Sequence, residues 1–118
     1  MHTGVDLIAP EGTAVLAVNA GRVQRVAVIS GYGLTVLVDH GGGWSSLYAH
    51  LLEASVNPGE RVGTGQPLGL VGQSGNASGP HLHLELRHRQ PQGLVAVDPT
   101  PLLPAPPPSG AIAGDLRP

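Results

Sequence analysis

Cysteine, lysine and phenylalanine are absent from this chain of 118 residues. Without cysteine, disulfides and thiolate metal sites are excluded, so any metal ion must bind to His, Asp or Glu. With one Trp and two Tyr, the core must consist mainly of aliphatic side chains. No apolar run reaches the length of a membrane span, and a formal net charge of -2 offers no basic surface to nucleic acid.

The length of the chain suits a single domain, followed by a short segment of different composition. Proline is concentrated after Leu103, and such a segment has little to bury. The sequence therefore predicts a domain over residues 1–103 and a Pro-rich disordered tail or linker over residues 104–118. No signal peptide precedes His2, although an exported protein needs one, so we expect the chain to be one part of a longer protein.

Short Val-rich stretches alternate with clusters of Gly, Asn, Ser and Pro along most of the chain. These clusters supply the backbone conformations that tight turns require, and no stretch has the 3.6-residue period of an amphipathic helix. The pattern predicts an all-β, mostly antiparallel fold. The predicted strands are Thr13 to Val18, Arg22 to Ile29, Leu34 to Val38, Trp44 to Leu51, Pro67 to Val71, and His81 to Arg87.

Two of these strands carry histidines: one has His81 and His83 at alternating positions, and the other has His50 alone. Because side chains alternate between the faces of a strand, each strand should have one core face and one polar face. The predicted core set is Leu82, Leu84, Leu86, Leu47, Ala49 and Leu51. The predicted polar set is His81, His83, Glu85, Arg87, Ser46, Tyr48 and His50. A strand with a solvated polar face would give the same pattern, and Glu85 fits either a ligand-orienting role or a surface role.

A third segment, His2-Thr3-Gly4-Val5-Asp6, can place an imidazole and a carboxylate on one side of an extended chain. Each of the three motifs is weak alone. Together they present His and Asp side chains on non-core faces of separate segments, as a catalytic zinc site with three protein ligands requires. His40 is expected to be structural or exposed, and His88, next to two Arg residues, is expected to be solvated.

These motifs stand in the chain as His2-Thr3-Gly4-Val5-Asp6, Leu47-Tyr48-Ala49-His50-Leu51 and Gly79-Pro80-His81-Leu82-His83-Leu84-Glu85. In this order they resemble the lysostaphin/LytM-type peptidoglycan endopeptidases, and the likeness runs from residue 2 to about residue 100. Members of that family have a strand or two before the first His, which this chain does not show. We therefore expect N-terminal strands to be missing.

The resemblance implies an antiparallel sheet sandwich of the lysostaphin-type (duplicated hybrid motif) kind, with an open groove. It implies Zn²⁺ bound by His2, Asp6 and His83, with His50 and His81 as catalytic histidines. The substrate would be peptidoglycan peptides, so the location would be extracytoplasmic. We assign His81 as general base and His50 as oxyanion or leaving-group partner, although the two roles can be exchanged.

Substrate-binding residues follow from position in the predicted groove. We expect Tyr32, Tyr48 and Asn76 to line it, with the loop over residues 72–79. The sequence does not determine whether polyglycine bridges or D-Ala–diaminopimelate cross-links are cut, and we favour the latter. Oligomeric state is equally open, and a monomer is assumed.

Three other functions compete with a zinc endopeptidase. A catalytically silent wall-binding or regulatory domain could have the same fold. A biotinyl or lipoyl carrier, suggested by Val56-Asn57-Pro58-Gly59-Glu60-Arg61-Val62-Gly63, is excluded because no lysine is present to be modified. A two-histidine phosphocarrier would not need His2 and Asp6.

Overall fold

The computed structural model describes residues 4–75, 77–90, 93–97 and 112–113, and these contain β-strands but no helix. No helix long and apolar enough to cross a membrane occurs in this part of the chain. The strands are β1 (Val5–Ile8), β2 (Ala14–Leu16), β3 (Gly21–Ile29), β4 (Gly33–Gly41), β5 (Trp44–Ala54), β6 (Arg61–Val62), β7 (Pro67–Val71), β8 (His81–Gln90), β9 (Gly93–Val97) and β10 (Ile112–Ala113). The predicted all-β class is confirmed.

Strand β5 joins the two parts of the sheet. The strand order is β10-β2-β7-β5-β4-β3-β6. Off this path, β8 pairs with β5 and also with β1 and β9. The first half of β5 pairs with β8, whereas its last residues pair with β7. All pairings are antiparallel except β10 with β2, which confirms the predicted mostly antiparallel arrangement.

One hydrophobic cluster fills a single side of the β3-β4-β5-β8 layer. Leu82, Leu84 and Leu86 of β8 point into it, as the alternation predicted. Removing such side chains from water supplies the main stabilisation of a domain that has almost no aromatic residues. The histidines of β8 therefore lie on the opposite, open side of the layer.

Strands β1, β6, β9 and β10 were not among the predicted ones. β6 and β10 have only two residues each, which is too short for an alternating pattern to show. β10 lies inside the segment predicted to be disordered. Ile112 and Ala113 pair in parallel with Val15 and Leu16 of β2, and Ile112 packs against the core. The other residues of the predicted tail lie outside the described part of the chain.

Candidate metal and catalytic site

Pairing of β1 with β8 brings Asp6, from the first sequence motif, beside His81 and His83, from the last. Asp6 lies opposite His83 in the antiparallel register, and residues opposite each other share a face. Oδ1 of Asp6 is 2.7 Å from Nδ1 of His83 and 3.7 Å from Nε2 of His81. Gly4 permits this close pairing, because a Cβ atom at that position would collide with the backbone oxygen of Leu84.

His50 reaches the same site through an irregularity in β5. Its φ angle is +62°, the only positive value among the described residues other than glycine, and the pairing of β5 with β4 shifts register beside it. A left-handed residue in a strand breaks the alternation of faces, as a β-bulge does. The ring of His50 therefore lies beside that of His81, with their centroids 4.8 Å apart.

For the residues of β5 that precede His50, the prediction of which side chains face the core was wrong. Tyr48 lies opposite Leu84 and is fully buried in the core, where the backbone N–H of Val18 donates to its hydroxyl at 3.0 Å. Leu47 and Ala49 instead lie opposite Glu85 and His83 on the open side. Tyr48 is thus a core residue, and the prediction that it lines the groove is corrected, because a fully buried side chain has no surface for a substrate.

Hydrogen bonds to backbone carbonyls fix both predicted catalytic rings. Nδ1 of His50 donates to the carbonyl of Ser74 at 2.6 Å, and Nδ1 of His81 donates to the carbonyl of Gly79 at 2.9 Å. A carbonyl can only accept, so the proton of each neutral ring is held on Nδ1. Nε2 of each ring is left with its lone pair, available for proton exchange.

A buried carboxylate supports His83 from behind. Oε2 of Glu85 is 2.9 Å from Nε2 of His83 and accepts a hydrogen bond from the Tyr32 hydroxyl at 2.8 Å. Oε1 accepts from Nε of Arg87 at 2.8 Å and lies 2.6 Å from its Nη2. Because Nε2 of His83 is occupied in this way, only Nδ1 of that ring faces Asp6.

These contacts shift the pKa values of the site. Burial alone would raise the pKa of Glu85, but the hydrogen bonds from His83, Tyr32 and Arg87 lower it to about 2. Burial also opposes ionisation of Asp6, yet its hydrogen bond to His83 and the neighbouring histidines lower its pKa. The hydrogen bond to Glu85 is the main cause that raises the pKa of His83. Burial is the main cause that lowers the pKa of His50.

The donor atoms of this cluster are of the kind that zinc takes. Asp6 offers a carboxylate oxygen and His83 an imidazole nitrogen, and these two atoms lie 2.7 Å apart. The third predicted ligand, His2, lies outside the described residues. Within those residues, no group of three or more His, Cys, Asp or Glu side chains is arranged to hold a metal ion. The chemistry of the two described ligand candidates therefore fits zinc, and a zinc site here would need a third donor.

The remaining predicted residues have different environments. The Tyr32 ring lies 5.8 Å from that of His83, beside the site, and Asn76 lies outside the described residues. His40 is structural: its ring bonds the carbonyl of Ala20 and the hydroxyl of Ser46. His88 is not simply solvated, because its ring packs against Trp44 with centroids 4.2 Å apart.

Sequence reasoning missed Ser74 as a supporting residue. Its carbonyl holds His50, while its hydroxyl donates to the carbonyl of Leu51 at 2.8 Å and accepts from the N–H of Leu34 at 3.1 Å. The only signal is the Ser-Gly turn after β7. Gly75 in that turn has φ +74° and approaches Gly33 so closely that a Cβ atom would lie 2.4 Å from the Gly33 nitrogen.

Residues 1–99 match the profile described as Peptidase family M23. The murein hydrolase activator EnvC of Escherichia coli is 46% identical over 100 residues, which cover 85% of this chain and 23% of that protein. The DD-carboxypeptidase/endopeptidase Mpg of Neisseria meningitidis is 43% identical over 105 residues, covering 87% of this chain and 24% of the relative. The chain thus spans about a quarter of the length of these relatives.

Solved structures show the same likeness. The catalytic domain of lysostaphin from Staphylococcus simulans superposes with a TM-score of 0.79 at 30% identity, covering 86% of this chain and 77% of that one. A zinc-containing peptidase from Vibrio cholerae gives 0.74 at 32% identity, covering 80% and 29% respectively. The match over residues 1–99 and the lysostaphin-like fold show that this chain belongs to peptidase family M23.

Proposed function

We propose that this chain is a zinc-dependent endopeptidase that hydrolyses peptide bonds in the stem or cross-link peptides of peptidoglycan. The observation that carries the proposal is the convergence of Asp6, His83, His81 and His50 on one open face, from three separate strands. Relatives named as a DD-carboxypeptidase/endopeptidase and as peptidoglycan DD-endopeptidases support the substrate class. That substrate lies outside the cytoplasm, which supports an extracytoplasmic location.

Asp6 Oδ1 and His83 Nδ1 would hold the zinc ion together with His2. When bound, zinc supplies Lewis acidity toward water and toward the peptide carbonyl. Glu85 orients His83 by holding its Nε2 atom, so that Nδ1 is directed at Asp6.

His50 and His81 would move protons and stabilise charge during hydrolysis. Each ring has its Nδ1 proton fixed by a backbone carbonyl, so Nε2 can accept a proton from water or, once protonated, donate one to the leaving amine. The close approach of the rings lets both act on one scissile bond. Tyr32 and Asn76 are proposed to contact the substrate beside them, and which histidine is the general base stays open.

The test separates metal binding from turnover. Asp6→Ala, His83→Ala and His2→Ala should each remove zinc, whereas His50→Ala and His81→Ala should keep zinc but lower kcat by about 10² or more. Zinc content is measured by metal analysis and turnover by release of peptides from purified cell wall. Full zinc occupancy in a ligand variant, or zinc loss in His50→Ala, would contradict the division of roles.

A second function has one specific observation in its favour. The relative with 46% identity is named as an activator of murein hydrolases, not as a hydrolase. An activator would bind its partner without turning over cell-wall peptides. A purified chain that holds zinc stoichiometrically but releases no peptide from any wall preparation would favour this alternative.

A further inference from the structure

A pocket on the open face lies next to the histidine cluster and is used by no step described above. It has a volume of about 210 Å³ and is lined by Arg25, Ile29, Tyr32, Thr35, Leu37, Leu47 and Arg87. Its floor is closed, because Thr35 and Leu47 are only 1% and 2% exposed. Tyr32 lies between the histidine cluster and the pocket, because its ring is near that of His83 and also lines the pocket.

Two guanidinium groups give this pocket its chemistry. Arg87 uses Nε and Nη2 on the buried Glu85, and its remaining N–H groups stay available, since a guanidinium carries five donors. Arg25 is exposed and forms no ion pair with any described residue. The carboxylate of Asp39, on the neighbouring strand, accepts a hydrogen bond from the backbone N–H of Gly41 instead.

The charge of the pocket is therefore positive. Glu85 is the only carboxylate in contact with a pocket residue among the described ion pairs, and Arg87, Tyr32 and His83 already direct their donors at it. Its side chain is 1% exposed, so it is shielded from the pocket. The positive charge of Arg25 has no carboxylate partner among the described residues. A planar guanidinium can bind a carboxylate through two parallel hydrogen bonds.

We infer that this pocket binds a carboxylate of the peptide substrate, at a position removed from the scissile bond. Arg87 lies four residues beyond His83 on β8, which corresponds to roughly 13 Å along a strand. An extended peptide bound over the sheet would reach that distance within about four residues. The inference rests on the proposed peptidase function and selects a substrate class within it. Diaminopimelate cross-links carry free carboxylates, whereas polyglycine bridges have no charged side chains.

The experiment uses Arg25→Gln, because Arg87 also supports Glu85. Substrates are a diaminopimelate cross-linked peptide dimer, the same dimer amidated at the side-chain carboxylate, and the dimer amidated at the terminal carboxylate. The wild-type chain should cleave the free acid with kcat/KM about tenfold above one of the amides, mainly through KM. The amide that is cleaved with the lower kcat/KM identifies the carboxylate that binds in the pocket.

In Arg25→Gln the free acid and that amide should be cleaved within about twofold of each other, and cleavage of the amide should be unchanged. Arg61→Gln, which removes the same charge from an exposed position on β6, should keep the wild-type preference. A wild-type chain without preference, or an Arg25→Gln variant that keeps it, overturns the inference. If no peptide is cleaved, the proposed function fails instead. Binding of the same peptides, measured by calorimetry, then decides the inference alone.

Discussion

Each imidazole at the site has a ring nitrogen fixed by a hydrogen bond, and that contact determines what the other nitrogen faces. His50 and His81 are fixed by backbone carbonyls, so they keep a lone pair toward the site. His83 is fixed by the Glu85 carboxylate, which strengthens its donor character toward a metal ion. Under the proposed function, the same residue type would have two roles because its hydrogen-bond partner differs. Sequence alone could not assign these partners, since Ser74 and Gly79 are ordinary turn residues.

Glu85→Gln should weaken zinc binding while leaving the ligands in place. The amide keeps the shape but removes the charge that His83 and Arg87 share, so we expect zinc affinity to fall by about 10- to 100-fold. Competition titration with a chromophoric chelator measures this directly. Tyr32→Phe, which removes one hydrogen bond to the same carboxylate but keeps its charge, is the control and should have a smaller effect. Equal zinc affinities in Glu85→Gln and the wild type would show that Glu85 is structural only.

At the scale of elements, β5 shows both the strength and the limit of reading a strand from its sequence. Its existence follows from Trp, Leu and Tyr residues between glycine-containing turns, and the alternation of β8 was predicted correctly. On β5 the alternation was assigned one residue out of phase, because Tyr48 was treated as polar although its hydroxyl is satisfied inside the core. The left-handed His50 then restores the histidine to the open face. A bulge of this kind depends on contacts from other segments.

Ser74→Ala should loosen the turn that holds His50 without removing zinc. The substitution eliminates hydrogen bonds to Leu34 and Leu51, so we expect a loss of roughly 1–3 kcal/mol of unfolding free energy. Movement of the Ser74 carbonyl should also lower kcat, because His50 would lose its fixed orientation. Denaturant unfolding and wall hydrolysis measure the two effects. Ser55→Ala, at an exposed serine, is the control; matching stability and kcat in both variants would refute the role given to Ser74.

On the scale of the whole molecule, the site joins segments far apart in the sequence. Asp6 and His83 are separated by 77 positions and meet through the register of β1 on β8. The strand pattern predicted an antiparallel sheet but not this pairing, because many registers satisfy the same alternation. Convergence of the motifs was predicted through the family resemblance. No sequence pattern predicted the pairing of β10 with β2, because two residues in a Pro-rich segment are too few to show the alternation of a strand.

Truncation after Leu103 should lower thermal stability but not activity. The deletion removes β10, and with it the contact of Ile112 with the core and the pairing on Val15 and Leu16. Partial burial of one aliphatic side chain contributes about 1 kcal/mol, which corresponds to roughly 4–8 °C in Tm for a domain of this size. Activity should persist because β10 lies at the far edge of the sheet order from β8. Ile112→Asn in the full chain is the matched variant and should reproduce most of the loss. Thermal melting of the three proteins checks this: an unchanged Tm after truncation would show that β10 adds no stability, and lost wall hydrolysis would show that the segment takes part in the site.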